Sequence, residues 1–220
     1  MKTLVLKFDG LQSWGCQSKL QTRDTLDFPT LSGVIGILRA ACGVYEESNN
    51  PLWDRFNELD MSVIIVENGR KQHDFCVAGT RGMMNLSGKE LPGKKVTNRY
   101  FLSDAIFYVV VTGDDKLIDI IVPYLSTPEN DLYMGRRCFP VNFDFFIDVY
   151  DNESLEDILK LLAKKEKLLS KKEMVLVVKE SQDSDVTSQI VMDRPIHNKR
   201  FGPRKLQKTW IKTGVKNVSN

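Results

Sequence analysis

Two hydrophobic periods take turns along this chain, and their order leaves few folds open. Thr3 to Phe8 alternates, with Leu4, Leu6 and Phe8 on one side and Thr3, Val5 and Lys7 on the other, as a half-buried strand does. Phe28-Pro29-Thr30-Leu31-Ser32-Gly33 then opens a helix. Pro29 sets up its start, Thr30 or Ser32 can cap the first turn, Val34, Leu38 and Ala41 form the apolar stripe, and Gly43 offers a left-handed stop. Met61 to Glu67 and Lys71 to Val77 are strand-like and flank Asn68-Gly69, whose two residues both accept positive φ, so a hairpin is expected there. Asp104 to Thr112 is a further strand, and Asp114 to Leu125 is an amphipathic helix that Pro123 should shorten or kink. Phe143 to Tyr150 follows as a strand, and Ser154 to Asp157 forms a capping box for a helix to about Leu169. Met174 to Lys179 and Thr187 to Met192 end the series as strands. This order predicts an α+β fold, an antiparallel sheet with helices on one face, for which a ferredoxin-like (RRM-like) core is the best single topology.

The intervals between these elements are less regular. Asp9 to Thr25 is polar and aperiodic and is expected to be a surface loop. Gly79 to Thr97 holds four glycines, Pro92, Lys89, Lys94 and Lys95 without periodicity, which predicts a mobile insertion between strands. Its Gly79-Thr80-Arg81-Gly82 has the Gly-x-x-Gly form of KH domains but lacks their flanking helices, so it carries little weight. Gly33 and Gly36 lie inside the first helix, each at a cost of about 1 kcal/mol relative to Ala, and tight packing or close approach of a ligand should compensate.

At 220 residues with 42% hydrophobic and 27% charged, the chain can bury a core without disulfides or metal, and one domain is expected over 1–220. Its longest apolar runs fall far short of the ~20 residues of a membrane span, and Met1-Lys2 leads straight into a strand, so the expected location is the cytoplasm, with no membrane partner. Cys16, Cys42, Cys76 and Cys138 are scattered and only His73 and His197 could join them, so they are expected to be reduced, partly buried thiols; neither a metal nor another cofactor is expected. Net charge is only +2, yet Asp193 to Lys216 carries eight Lys and Arg against one acid. Such a block either attracts polyanions or is a solvated tail, and a linker is plausible only at Pro195 to Pro203.

Three segments resemble one known family. Leu11-Gln12-Ser13-Trp14-Gly15 with Thr22-Arg23-Asp24-Thr25 and the Phe28 to Gly36 run is similar to the amino-terminal signature of the CasD family, the RAMP-superfamily subunit of type I-E CRISPR Cascade. Thr97-Asn98-Arg99-Tyr100-Phe101-Leu102-Ser103-Asp104-Ala105 resembles the segment leading out of that family's thumb. Tyr133-Met134-Gly135-Arg136-Arg137-Cys138-Phe139-Pro140 resembles its Leu-Gly-Arg-Arg-x-x-Pro loop, with Met134 where Leu is usual, a volume-conserving change. Beyond about residue 146 the likeness is looser, resting on Arg194-Pro195 and the basic run to Trp210. The resemblance implies a ferredoxin-like palm with an inserted β-hairpin thumb at about 78–102 and a basic carboxy-terminal segment at about 193–220. It also implies antiviral defence: a non-catalytic subunit that holds the 5′ handle of the CRISPR guide RNA (crRNA) and joins the backbone and large subunits of Cascade.

The residue chemistry fits that expectation. Single-stranded RNA is held by cations plus planar groups on which bases rest. Arg136 and Arg137 beside Tyr133 supply both, and Gly135 would let a backbone come close to a phosphate; a pair of surface ion bridges is the competing account. Arg23, Thr25, Thr30 and Ser32 precede or open a helix whose free amides suit phosphate, with Gly33 small where a ligand would approach, unless Thr30 and Ser32 only cap their own helix. Trp14 offers a stacking face or core packing, and Gln12 joins the site through the family signature. Lys94, Lys95, Arg99 and Tyr100 would give a protruding arm its cations and aromatic. The alternative is a metal-independent endoribonuclease acting on repeat RNA, which needs a base and a cation, but His73 and His197 lie outside the matched motifs.

Overall fold

A computed structural model describes residues 1–16, 21–45, 50–78, 83–84, 87–91, 94–181, 188–196 and 200–215. The elements are β1 (Lys2–Gln12), β2 (Gly15–Cys16), β3 (Thr22–Thr25), α1 (Leu31–Ala41), α2 (Leu52–Arg55), β4 (Asp60–Ala78), β5 (Met83–Met84), β6 (Glu90–Leu91), β7 (Lys95–Gly113), α3 (Asp115–Ser126), β8 (Phe146–Asp151), α4 (Leu155–Lys165), β9 (Met174–Glu180), β10 (Gln189–Ile196) and β11 (Arg200–Lys212). Seven strands form an antiparallel sheet in the order β10-β11-β9-β4-β7-β1-β8, and β3 joins β7 in a short parallel step.

Helices cover both faces of this sheet, which corrects the expectation of helices on one face. Leu4, Leu6 and Phe8 of β1 share a core with Val109 and Val111 of β7 and with Leu31, Val34, Leu38, Leu117 and Ile121 of α1 and α3. The alternate residues Val5, Ile64, Tyr108 and Val110 face the other way and are buried under Ile158, Leu159 and Leu162 of α4. The signal was in the sequence: Phe107 to Val111 is apolar without a break, which marks a strand buried on both sides.

Local chemistry sets the helix ends. Thr30 Oγ1 accepts from the Gly33 amide at 3.2 Å, and Gly43 takes φ +63° after α1. Ser154 caps α4 by accepting from the Asp157 amide. Pro123 falls in the last turn of α3 without ending it, so the helix runs to Ser126.

The Asn68-Gly69 hairpin does not form. β4 runs straight through that dipeptide and pairs with β7 from Asp60↔Thr112 to Ala78↔Lys95. Gly69 does adopt φ +68°, and the register places it opposite Asp104, which has φ +57°. A Cβ at Gly69 would come within 2.5 Å of the Ser103 carbonyl oxygen. The positive φ is therefore spent on a bend shared by both strands rather than on a reversal, because β7 carries a matching left-handed residue. Gly10 of β1, φ +102°, pairs with Ala105 and continues the line of the bend across a third strand. Beyond it, β4 and β7 continue as a ribbon that ends near residues 78 and 95; the Gly-x-x-Gly at 79–82 lies outside the described residues.

The basic carboxy-terminal run is neither a tail nor a linker. Gln189–Ile196 and Arg200–Lys212 pair with each other, and β11 lies inside the sheet between β10 and β9. Arg204 is 2% exposed and its Nη1 meets Asp193, 1% exposed, at 2.9 Å. Arg194 pairs with Asp60 and Glu180. Two of the run's cations are thus neutralised inside the protein. Among the cysteines, Cys76 and Cys138 are exposed rather than partly buried.

Candidate nucleic-acid interface

The segment expected to be a loop at Asp9 to Thr25 instead carries the end of β1, then β2 and β3, and its turn at Ser13-Trp14 locks onto the loop after α3. The Ser13 amide donates to the Met134 carbonyl at 3.0 Å, and Ser13 Oγ donates to the Tyr100 carbonyl at 3.1 Å. Gly135, φ +87°, lies so close that a Cβ would collide with the Ser13 carbonyl. The space expected for a phosphate at Gly135 is taken by backbone.

Arg136 closes the same joint. Its Nη2 donates to the Tyr100 carbonyl at 2.7 Å, its Nη1 meets Asp74 at 3.0 Å, and its guanidinium lies 5.6 Å and 5.3 Å from the ring centres of Phe101 and Phe139. Its neighbour Arg137 is exposed and makes no ion pair among the described residues.

Around Asp74 the cations accumulate. Asp74 pairs across the ribbon with Arg99, and Arg99 pairs on its other side with Arg23 of β3. The strand register thus sets Asp74, Arg99 and Arg23 side by side, while among the described residues the ion pair at this point is that of Arg136 with Asp74. Like charges on directly paired residues disfavour the pairing of β3 with β7 here. Arg99 Nε is buried and has no hydrogen-bond partner among the described residues. Lys94 and Lys95 are exposed, Lys95 about 13 Å further along β7 at ~3.3 Å per residue.

Arg137, Tyr133, Ser32 and Gly33 line a groove of about 290 Å³ along α1. Its floor is Gly36, where a Cβ would meet nothing within 4 Å. Packing therefore explains Gly33 but not Gly36.

Four candidate residues serve the fold and not the surface. Trp14 is 1% exposed, with its ring 5.3 Å from Phe8 and against Gly33, and its Nε1 donates to Gln12 Oε1 at 2.8 Å. Gln12 is fully buried and donates to the Ala105 carbonyl at 2.9 Å. Neither presents a face to a base. Thr30 caps α1, and Gly33 gives room to Trp14. Two of the helix amides expected to receive phosphate are occupied as well, since Leu31 N donates to Asp193 Oδ2 at 2.8 Å and Gly33 N to Thr30. Asp193 is held above the usual carboxylate range by burial, against the pull of Arg204 and the Leu31 amide. Ser32 is left half-exposed, and among the described residues its hydroxyl is not the cap.

Sequence reasoning passed over one cluster, on the other face of the ribbon. His73 stacks on Tyr100 with ring centres 4.8 Å apart, its Nε2 lies 2.8 Å from Asn98 Oδ1, and Lys71 Nζ is 5.2 Å from the Tyr100 ring. Lys71 also pairs with Asp24 at 2.7 Å. Partial burial would raise the Asp24 carboxyl, but hydrogen bonds from Lys71 and the Thr25 amide leave it below its ordinary value. The available signal was spacing: residues 71 and 73 lie on one face of any strand. Phe75, Val77 and Val96 continue that face, exposed. Among the described residues no group of three or more His, Cys, Asp or Glu is placed to hold a metal, and no helix is long and apolar enough to cross a membrane.

The subunit CasD of the CRISPR system Cascade from Escherichia coli (strain K12) is 27% identical over 155 residues, 66% of this chain and 69% of that protein. A chain of a CRISPR RNA-guided surveillance complex matches in fold with a TM-score of 0.73 over 96% of this chain and 90% of its own, at 24% identity. A crystal structure of a Cas protein matches with a TM-score of 0.68 over 96% and 95%, at 26% identity. The family model described as CRISPR-associated protein (Cas_Cas5) matches residues 3–213, so the chain belongs to the Cas5 family of CRISPR-associated proteins.

Proposed function

We propose that this chain is a non-catalytic, RNA-binding subunit of a Cascade-type CRISPR complex, holding the 5′ handle of the guide RNA and contacting the backbone and large subunits. The carrying observation is that strand register sets Arg23 and Arg99 beside the Asp74–Arg136 ion pair, next to the groove lined by Arg136 and Arg137. Arg136 organises the joint, while Arg23, Arg99 and Arg137 receive phosphates, each a flat permanent cation suited to two hydrogen bonds. We read the order β1-α1-β4-β7-α3-β8, with β4-β7-β1-β8 side by side and α1 and α3 on one face, as a ferredoxin-like palm. The β4–β7 ribbon is then its thumb, set off by the bend at Gly10, Gly69 and Asp104.

The test is retention of handle RNA by the purified chain across a salt series. Replacing Arg23 and Arg137 with Ala should weaken binding at every salt concentration and flatten the log–log salt slope by about 0.7 for each phosphate that the variant leaves without its arginine. An unchanged slope would remove these residues from the interface.

A second reading has its own observation. His73, Tyr100 and Lys71 place a titratable ring, a phenol and a cation within reach of one another, the ingredients of metal-independent RNA cleavage. Incubation with repeat RNA in EDTA separates the two: specific scission lost in His73→Ala would make the chain a nuclease.

A further inference from the structure

Ser32, Gly33 and Gly135 line the groove and also a second cavity of about 390 Å³ on the far side of the α1 amino terminus. The two hollows therefore share an edge. The second one is within the ~300–1,000 Å³ range of small-molecule sites, and its lining differs in kind from the groove. One wall is Trp53 together with Arg39, whose guanidinium lies 3.6 Å from the Trp53 ring centre and donates to Asn57 Oδ1 at 3.0 Å and to the Trp53 carbonyl. The opposite wall is the end of the β10–β11 hairpin, where Ile196 and Phe201 are 48% and 47% exposed and Arg200 is exposed beside them.

Flat apolar walls, an amide at Asn57, a hydroxyl at Ser32 and a cation at the mouth suit one kind of ligand: a planar heteroaromatic ring attached to an anion. We propose that this cavity takes one unstacked nucleobase of the bound strand, whose phosphates stay in the adjoining groove beside Arg137. The inference rests on the RNA-binding reading of that groove. It also accounts for the exposure of Phe201 and Ile196, whose apolar surface is left open among the described residues.

The strand's base enters between Trp53 and Phe201, where stacking supplies affinity without a requirement for sequence. Asn57 and Ser32 then supply hydrogen-bond partners that favour some bases over others. Arg39 holds Trp53 and Asn57 in place and itself lines the cavity.

The experiment is an abasic scan. The full chain is titrated with a set of single-stranded handle oligoribonucleotides, each lacking the base at one position, and the wild type is compared with Phe201→Ala and Arg137→Ala. One position should be sensitive, with base removal weakening binding about 5- to 100-fold. Phe201→Ala should weaken binding of intact RNA by a comparable factor, yet leave binding of RNA abasic at that position unchanged, with the salt slope preserved. Arg137→Ala should weaken both RNAs equally. If RNA binds but no position is sensitive, or Phe201→Ala weakens intact and abasic RNA alike, the base pocket is overturned while the groove stands, and a protein side chain becomes the occupant to seek. If a free nucleoside monophosphate saturates the site with a change in tryptophan fluorescence that Trp53→Phe abolishes, and RNA does not compete, the ligand is a soluble nucleotide and the proposal is overturned in that form. If the wild type retains no RNA at all, the groove reading fails and takes the pocket with it.

Discussion

Two arginine-rich regions of this protein look alike in sequence and are opposite in physics. At the β10–β11 hairpin, Arg204 is sealed at 2% exposure against Asp193, and Asp193 in turn receives the first amide of α1. At the base of the ribbon, Arg136 pairs with the half-exposed Asp74, Arg99 and Arg23 lie in register beside it, and Arg137 is exposed with no ion pair among the described residues. The first region consumes its charge to hold strands and helix together. The second carries more charge than it can neutralise. A count of Lys and Arg along the chain does not separate the two kinds, because the carboxy-terminal run holds the sealed Arg204 and the exposed Arg200, Lys205, Lys208 and Lys212 together. Burial, not composition, decides which cations remain for a polyanion.

Breaking the sealed pair should have the largest effect. Arg204→Ala leaves Asp193 as an uncompensated buried carboxylate, and urea unfolding should register a loss of about 3–5 kcal/mol; a loss below about 1 kcal/mol would mean that the two regions do not differ as argued. Next comes Gly135→Ala, which forces φ +87° on an L residue and drives a methyl into the Ser13 carbonyl. It should lower stability by about 2 kcal/mol and, because it separates the turn from the Arg136 loop, RNA affinity too.

The adjacent pair Arg136 and Arg137 gives a finer test. Arg136→Ala removes the bonds to Asp74 and the Tyr100 carbonyl and should cost about 1–2 kcal/mol in thermal or chemical unfolding. Arg137→Ala should change stability by less than about 0.5 kcal/mol while weakening RNA retention. Equal stability losses in the two variants would erase the distinction between a joint-forming and a surface arginine.

The smallest expected effect concerns Asp24. Its carboxyl is lowered in the folded state, so the Lys71 contact contributes stability above the unfolded carboxylate range, near pH 4, and loses it as pH falls through the lower folded value. Lys71→Ala should return the Asp24 titration toward its ordinary position by NMR, with less than about 1 kcal/mol lost at neutral pH because both groups are substantially exposed. No movement of that titration would detach Lys71 from the corner.

The amino acids settled wherever the decisive interaction is local. Thr30 and Ser154 cap the helices that their positions announce, and the alternation of Leu4, Leu6 and Phe8 puts all three in one core. Gly135-Arg136-Arg137 stood out by composition, and it does converge with Arg23, Arg99 and Tyr100 at one corner. Asn68-Gly69 shows the limit of that logic. The dipeptide specifies positive φ but not whether a strand reverses or bends, and the matching Asp104 on a partner 35 positions away determined the outcome. Trp14 and Gln12 sit in a polar stretch with no period, so only the arrival of Phe8, Gly33 and the Ala105 carbonyl makes them core. Asp193 could not be recognised as the anion at the α1 amino terminus from either end of a 162-residue separation. Sequence alone thus determined the caps, the strand periods and the supply of arginines, because backbone hydrogen bonds and side-chain alternation act over a few residues. Tertiary structure alone decided which arginines are spent and which are offered, because neutralisation depends on carboxylates and carbonyls that lie far apart in the chain.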